Sequence, residues 1–175
     1  MKQSAPLTTT QVAALLRAAA ASLRAEADAL GNDGMHWHAA PGEWCVNEVI
    51  GHIIEAEERG FAGQIRRIIE QPGRDLPTWD PPEVARQRND CARDGVELLR
   101  EFASMREEGV RLVEGLAEGQ LDLSGEHPLV GTLRVADLLH EWPHHDRNHL
   151  MQAMAVVQAY VWPHMGNSQR FSEIE

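Results

Sequence analysis

Apolar residues return every three or four positions along four stretches of the chain, and almost none of it alternates with a period of two. That pattern predicts helices with one buried face each. The first helix is expected from about Thr9 to Leu30, with Val12, Leu15, Leu16, Ala19, Leu23, Ala27 and Leu30 on its inner face. Thr8 and Gln11 have the spacing of a capping box, and Gly31 is a stop signal. A Gly-, His- and Pro-containing loop follows to Glu43. The second helix is expected from about Val46 to Ile69, burying Val49, Ile50, Ile53, Phe61, Ile65, Ile68 and Ile69, and Gln71-Pro72-Gly73 ends it.

A proline-rich connection then runs to Pro82 and carries Trp79. Its length suggests either a functional loop or a rigid surface crossover. The third helix is expected from Pro82 or Glu83 to about Leu116, because Cys91, Gly95, Leu98, Phe102, Met105, Gly109, Leu112 and Leu116 repeat as a bundle seam does. Residues Ala117–Gly131 read as a loop. Thr132 is an N-cap candidate for a fourth helix reaching about Tyr160. In the polar tail Val161–Glu175, Trp162, Pro163 and Phe171 are candidate anchors. The sum is an all-α chain, a single four-helix-bundle domain spanning 1–175 with its core at about 9–160. Periodicity alone leaves the order of the helices open.

Composition narrows the setting. The chain has 175 residues, 43% hydrophobic and 25% charged, which is ordinary for a globular domain. No apolar run is long enough for a membrane-spanning helix, and Met1–Thr10 does not read as a signal peptide. Two cysteines, Cys45 and Cys91, are too few for a disulfide scaffold or a cysteine zinc cluster, so a cytoplasmic location is expected. A net charge of −11 argues against nucleic acid as a partner.

Nine histidines are the unusual feature, four of them between His140 and His149. Val135, Leu138, Trp142, His145, His149, Gln152 and Val156 form one stripe of the fourth helix, which turns His145 and His149 into the bundle. Two imidazoles one helical turn apart can grip one divalent metal ion. His140 and His144 share the same spacing, but their stripe passes through Asp137, Arg147 and Met151, so they are read as solvent-facing or as supporting the ligands from behind. Pro143 bends the helix and could re-aim His140. His52, flanked by Ile50 and Ile53 on the second helix, is the third candidate ligand. Three histidines leave coordination positions open, as a catalytic metal requires. Glu48, Glu55 and Asp146 are candidates to orient the imidazoles, although each also reads as a solvated helix charge, Glu55 most of all, and Asp146 could pair with Arg147 or cap another element.

The pattern Trp44-x-x-x-Glu48-x-x-x-His52-Ile53, followed by His145-Asp146-x-x-His149-x-x-Gln152, resembles the DinB/YfiT-like superfamily of DNA-damage-inducible proteins over about Thr9 to Tyr160. The resemblance implies an up-down-down-up bundle with a long crossover between helices two and three, which the Pro-rich stretch suits. It implies one divalent ion, often nickel or zinc, on His52, His145 and His149, the same three residues that the stripes select. It also implies a homodimer. Characterised relatives include S-transferases that use a low-molecular-weight thiol and a maleylpyruvate isomerase. The chain departs from the family at Cys45, where Ser or Thr is usual. A thiol caps a helix less well, by about 0.5–1 kcal/mol. Cys45 also stands about 10 Å along the helix from His52 and is not expected to bind its metal.

Two functions follow as expectations. In the first, the metal holds a low-molecular-weight thiol as the thiolate for attack on a small electrophile, with Trp79 and Trp142 shaping the pocket or, for Trp142 above all, packing the core. In the second, the same metal serves a non-catalytic stress-response or interaction module. Nickel, zinc, iron and manganese all suit an open three-histidine site.

Overall fold

In a computed structural model of the chain, residues 5–173 are described. The start of the expected non-signal N-terminus and the end of the polar tail lie outside them. The elements are α1 (Thr9–Met35), α2 (Val46–Glu55), a π-helical segment (Ala56–Phe61), α3 (Ala62–Glu70), α4 (Pro81–Arg88), α5 (Gly95–Glu114), β1 (Ser124–His127), β2 (Gly131–Arg134) and α6 (Val135–Val161). α2, the π-helical segment and α3 follow one another without a break, so four long helices make the bundle.

Pairs of side chains fix its direction. Arg147 donates to the Leu15 carbonyl and Trp37 packs on Tyr160, so α1 and α6 run parallel. Arg17 meets Glu114, and Asn32 accepts from the Gly95 N–H, so α1 and α5 are antiparallel. Asn47 reaches the Arg93 carbonyl and Glu57 reaches Arg106, which sets α2 parallel to α5. His52 faces His149 while Phe61 stacks on Trp142, which sets α2 and its continuation antiparallel to α6. The order is up-down-down-up.

Local chemistry explains the elements. Thr8 accepts from the Gln11 N–H, and the Gln11 side chain accepts from the Thr8 N–H, closing the expected capping box. Gly31, at φ 66°, breaks α1 as expected, but one further turn follows it to Met35. Burial falls on the apolar stripes: Val12, Leu16, Leu23, Ile50, Ile65, Ile68, Leu98, Phe102, Leu138 and Trp142 are all buried. The apolar core comes in two clusters, one around Phe61, Ile65 and Trp142 and the other around Ile50, Leu98 and Phe102. At the level between them lie buried polar side chains, Glu57, Arg106 and Asp146.

Three expectations need correction. The single helix from Pro82 to Leu116 is two. Asn89 adopts a left-handed conformation at φ 50° and ends α4; Asp94 accepts from the Glu97 N–H and starts α5 afresh. The repeat runs unbroken through the sequence because Cys91 lies in phase with α5 without belonging to it. Next, the stretch Ala117–Gly131 and the proposed N-cap Thr132 contain an antiparallel hairpin, β1 with β2, and α6 is capped instead by Asp137 accepting from the Arg134 N–H. Four-residue strands are too short for a period of two to stand out. Finally, Trp162, Pro163 and Phe171 are exposed on the 3-10 turns of the tail instead of packing as anchors against the described residues.

The hairpin has a use. Leu76 N–H donates to the Glu126 carbonyl at 2.8 Å, Glu126 N–H to the Arg74 carbonyl at 2.9 Å, and Gly73 N–H to the Ser124 carbonyl at 2.7 Å. The crossover from α3 is thus zipped to β1. Gly125 permits it, since a Cβ there would stand 2.9 Å from the Leu76 side chain and 3.0 Å from the Arg74 carbonyl. Gln64 adds a hydrogen bond to the Pro77 carbonyl, two residues before Trp79.

Candidate metal centre

Three imidazoles from two helices converge beside the buried polar level. His52 comes from α2, His145 and His149 from α6. The ring centroids of His52 and His149 are 4.4 Å apart, as are those of His145 and His149, and His52 and His145 stand at 5.2 Å. One ring nitrogen from each lies within 4.8 Å of the other two. The Nε2 atoms of His52 and His145 are 3.2 Å apart. Two ligand nitrogens at a metal–nitrogen length of about 2.0–2.1 Å are separated by about 2.9–3.4 Å for bond angles between square and tetrahedral, so the spacing fits a shared ion.

The protonation states fit as well. Burial lowers His52 to about 4, with His149 adding to the shift, and lowers His145 to about 3, with His149, His52 and Arg106 adding. Both rings are therefore neutral at pH 7, the form that binds metal. His149 Nδ1–H donates to Gln152 Oε1 at 2.9 Å, leaving Nε2 with its lone pair free. Gln152 thus does for His149 what a supporting group does for a metal-binding imidazole: it fixes tautomer and orientation. A hydrogen bond between His52 and His145 would occupy only two of the three converging nitrogens.

The surroundings are aromatic on one side and charged on the other. Trp44, at 5.3 Å, and Trp79, at 6.0 Å, flank the His52 ring, while Phe61 sits edge-on to His145 at 5.1 Å. Trp79 comes from the crossover and therefore depends on the hairpin. Trp142 is fully buried against Phe61, in the core rather than at the site's mouth. Behind His145, Arg106 pairs with Asp146 through Nη1 and Nη2, with Glu57 through Nε at 2.9 Å, and with the Leu16 carbonyl at 3.0 Å.

The remaining expected residues fall as follows. His140 and His144 are exposed and away from the triad: His140 Nε2 accepts from the Leu7 N–H and its Nδ1 faces the Ala136 carbonyl, while His144 faces Asn148. Glu48 accepts from the Cys45 N–H at 2.9 Å, and the Cys45 sulfur makes no capping bond of its own. Glu55 is buried, not solvated, held by Arg59 and Arg88. Asp146 pairs with Arg106 rather than with Arg147.

A family model described as the DinB superfamily matches residues 15–153. The chain belongs to the DinB superfamily. Among curated proteins none matches the sequence. Among solved structures, the fold of this DinB chain is similar to YfiT from Bacillus subtilis, described as a probable metal-dependent hydrolase with an unusual four-helix bundle topology. The TM-score is 0.78 at 13% identity, over 93% of this chain and 94% of that one. It is also similar to a conserved protein from Enterococcus faecalis, with a TM-score of 0.67 at 15% identity over 87% and 97% of the two chains.

Two residues that support the helices of this DinB site were missed in the sequence. Arg106 lies on the inner face of α5, one turn past Phe102, where a cation needs buried partners; that position was its signal. Asp90 is another. It is buried, receives Arg88 and Arg93, and presses on α2 so closely that a Cβ on Gly51 would stand 1.8 Å from its Oδ2. No helix among the described residues is long and apolar enough to cross a membrane.

Proposed function

We propose that this chain is a metal-dependent enzyme of the DinB superfamily that binds one divalent ion, nickel or zinc before iron or manganese, on His52, His145 and His149, and uses a low-molecular-weight thiol as its nucleophile. The observation that carries the reading is the convergence of three imidazoles with a 3.2 Å gap between His52 Nε2 and His145 Nε2. When bound, the ion would lower the pKa of a thiol or water in its open positions and hold it ready for attack. The chain's own residues supply the rest. Gln152 orients His149. Trp44 and Trp79 give an apolar wall beside His52 for the carbon part of a thiol or electrophile. Glu48, Glu55 and Asp146 are each engaged elsewhere, so none stands ready as a general base for water. That favours a thiol, whose own acidity makes a dedicated base less necessary.

Hydrolysis is the second reading, supported by the description of the YfiT relative. In both readings the site residues are the same. The test begins with metal content per chain, measured on untagged wild type and on His145→Ala purified without chelator. About one equivalent in the wild type and little in the variant is the supporting result. Equal occupancy would overturn the assignment. Cobalt-loaded protein then separates the nucleophiles. Visible bands that shift on adding a low-molecular-weight thiol support the transferase, and bands that ignore thiols, together with turnover of an ester or amide, support the hydrolase. Tight metal with neither response would leave the non-catalytic module.

A further inference from the structure

The second cluster of reactive side chains lies beyond the N-terminal end of α2. Cys45, directly before α2, is fully buried, and Cys91, in the turn Asp90–Ala92 between α4 and α5, is half-buried. Their Sγ atoms are 2.7 Å apart across 46 positions of sequence. His38 completes the group. Its Nδ1–H donates to the Glu43 carbonyl at 2.7 Å, which leaves Nε2 as an acceptor, and Nε2 stands 3.1 Å from Cys91 Sγ. Glu48 is occupied at the Cys45 N–H. Two thiolates on one tetrahedral zinc would stand about 3.8 Å apart at a Zn–S length of about 2.3 Å, roughly an ångström further than these.

We propose that Cys91 and Cys45 are a redox-active pair that forms a reversible intramolecular disulfide with hydrogen peroxide, His38 acting as the base for Cys91. The two cysteines are not equivalent. Cys91 has some exposure and a basic nitrogen beside it. Cys45 has neither, and although burial raises both thiols it raises that of Cys45 the more. Cys91 is therefore the sulfur oxidised first, and Cys45 the resolving one. In the first step the Cys91 proton passes to His38 Nε2 and the sulfur attacks a peroxide oxygen. The S–O bond forms, the O–O bond breaks, and the departing hydroxide takes the proton from His38 as water. In the second, the Cys45 sulfur attacks the Cys91 sulfur, the S–S bond forms, the S–O bond breaks, and hydroxide leaves with the Cys45 proton as water. Two thiols and one peroxide become one disulfide and two waters, the sulfurs losing two electrons. Small thiols reverse it by exchange. The bond would tie the residue that opens α2 to the α4–α5 turn, next to Trp44, whose ring packs on His52. A transient disulfide of this kind is the form in which disulfides occur in reducing compartments.

The test uses the full chain, reduced and desalted, treated with hydrogen peroxide and followed by thiol titration, intact mass and tryptophan fluorescence. Both thiols should disappear with the loss of two hydrogens and no dimer, and dithiothreitol should restore them. Cys45→Ser, which puts a good capping residue at this position, should stop at a Cys91 sulfenic acid trapped by dimedone. Cys91→Ser should leave Cys45 unreacted. His38→Gln should slow the first step by at least about tenfold while leaving the far-ultraviolet circular dichroism unchanged. Persistence of both thiols under peroxide, or a disulfide only between chains, overturns the proposal. So does a zinc ion that remains in His145→Ala, is lost in Cys91→Ser and protects both thiols.

Discussion

Arg106 grips both carboxylate oxygens of Asp146, the residue next to His145, from the neighbouring helix α5. All of this happens out of water: Arg106 is 3% exposed and Asp146 2%. The same guanidinium holds Glu57 and the Leu16 carbonyl, so it joins α1, α5, α6 and the π-helical segment at one level. A side chain pinned there fixes the rotation of α6 about its axis, and with it the direction in which His145 points. Arg106→Met should therefore fail in two ways. Two buried carboxylates lose their counter-charge, at a cost of about 3–5 kcal/mol, read as a lower urea midpoint. Metal affinity should fall too, although no ligand has been touched. A variant that unfolds earlier yet binds metal as wild type does would separate the pair from the site.

Glu57 gives this level a pH dependence. Burial raises its carboxyl to about 7, against the pull of Arg106 and with Asp146 adding to the rise. A carboxyl raised above its unfolded value binds more protons folded than unfolded. Its stabilisation is complete below the unfolded value of about 4.3 and is lost as pH climbs through about 7. Above about pH 6.5, where the histidines of the unfolded chain no longer take up protons, the metal-free protein should thus lose thermal stability up to about pH 8. Glu57→Gln, which keeps an acceptor for Arg106 Nε, should flatten that decline; melting temperatures over the range would show it. An equal slope in the variant would place the loss elsewhere.

The histidines act in the opposite direction. His52 and His145, lowered to about 4 and about 3 by burial, stay neutral while the unfolded chain takes up protons below about pH 6.5. The unfolded state then binds more protons, so stability is full above that value and falls as the solution is acidified toward pH 4. Chelator-treated protein should melt progressively lower over this window, and the double variant His52→Leu, His145→Leu should melt with a shallower acid slope. If the slope persists unchanged, these rings are not the buried neutral groups that set it.

The candidate site was legible because its signal is local and periodic. His145 and His149 sit in phase with Val135, Leu138, Trp142 and Val156 on one helix, and a stripe reports its own orientation. Asp146 is one position away and misled: adjacency suggested Arg147, but one residue along a helix turns a side chain by about 100 degrees, and the partner proved to be Arg106 on another helix. Glu55 misled for a different reason: its i+4 neighbour Arg59 reads as an ordinary surface ion pair, while its second cation, Arg88, lies on α4 and leaves no mark in the stripe. The pairing of Cys45 with Cys91 depends on the break at Asn89, which the uninterrupted repeat concealed. Contacts between elements leave no period in either partner.

The hairpin β1–β2, hidden for want of length, controls a residue at the mouth of the site. Backbone hydrogen bonds fasten the crossover at Gly73, Arg74 and Leu76 to β1, Leu76 is buried over Gly125, and three residues on, Trp79 lies almost parallel to the His52 ring at 25°. A Cβ at Gly125 needs space that Leu76 and the Arg74 carbonyl already fill. Gly125→Val should push the crossover off the strand while leaving all three histidines on their helices. Overpacking of this kind costs about 1–3 kcal/mol, small enough for the bundle to survive. Metal content should stay at the wild-type level, and the cobalt spectrum without thiol should be unchanged. Binding of a thiol or substrate should weaken, and Trp79→Ala should weaken it to a similar degree. Agreement between the two variants would assign the effect to the indole over His52; loss of metal in Gly125→Val alone would mean that the hairpin holds the ligands themselves.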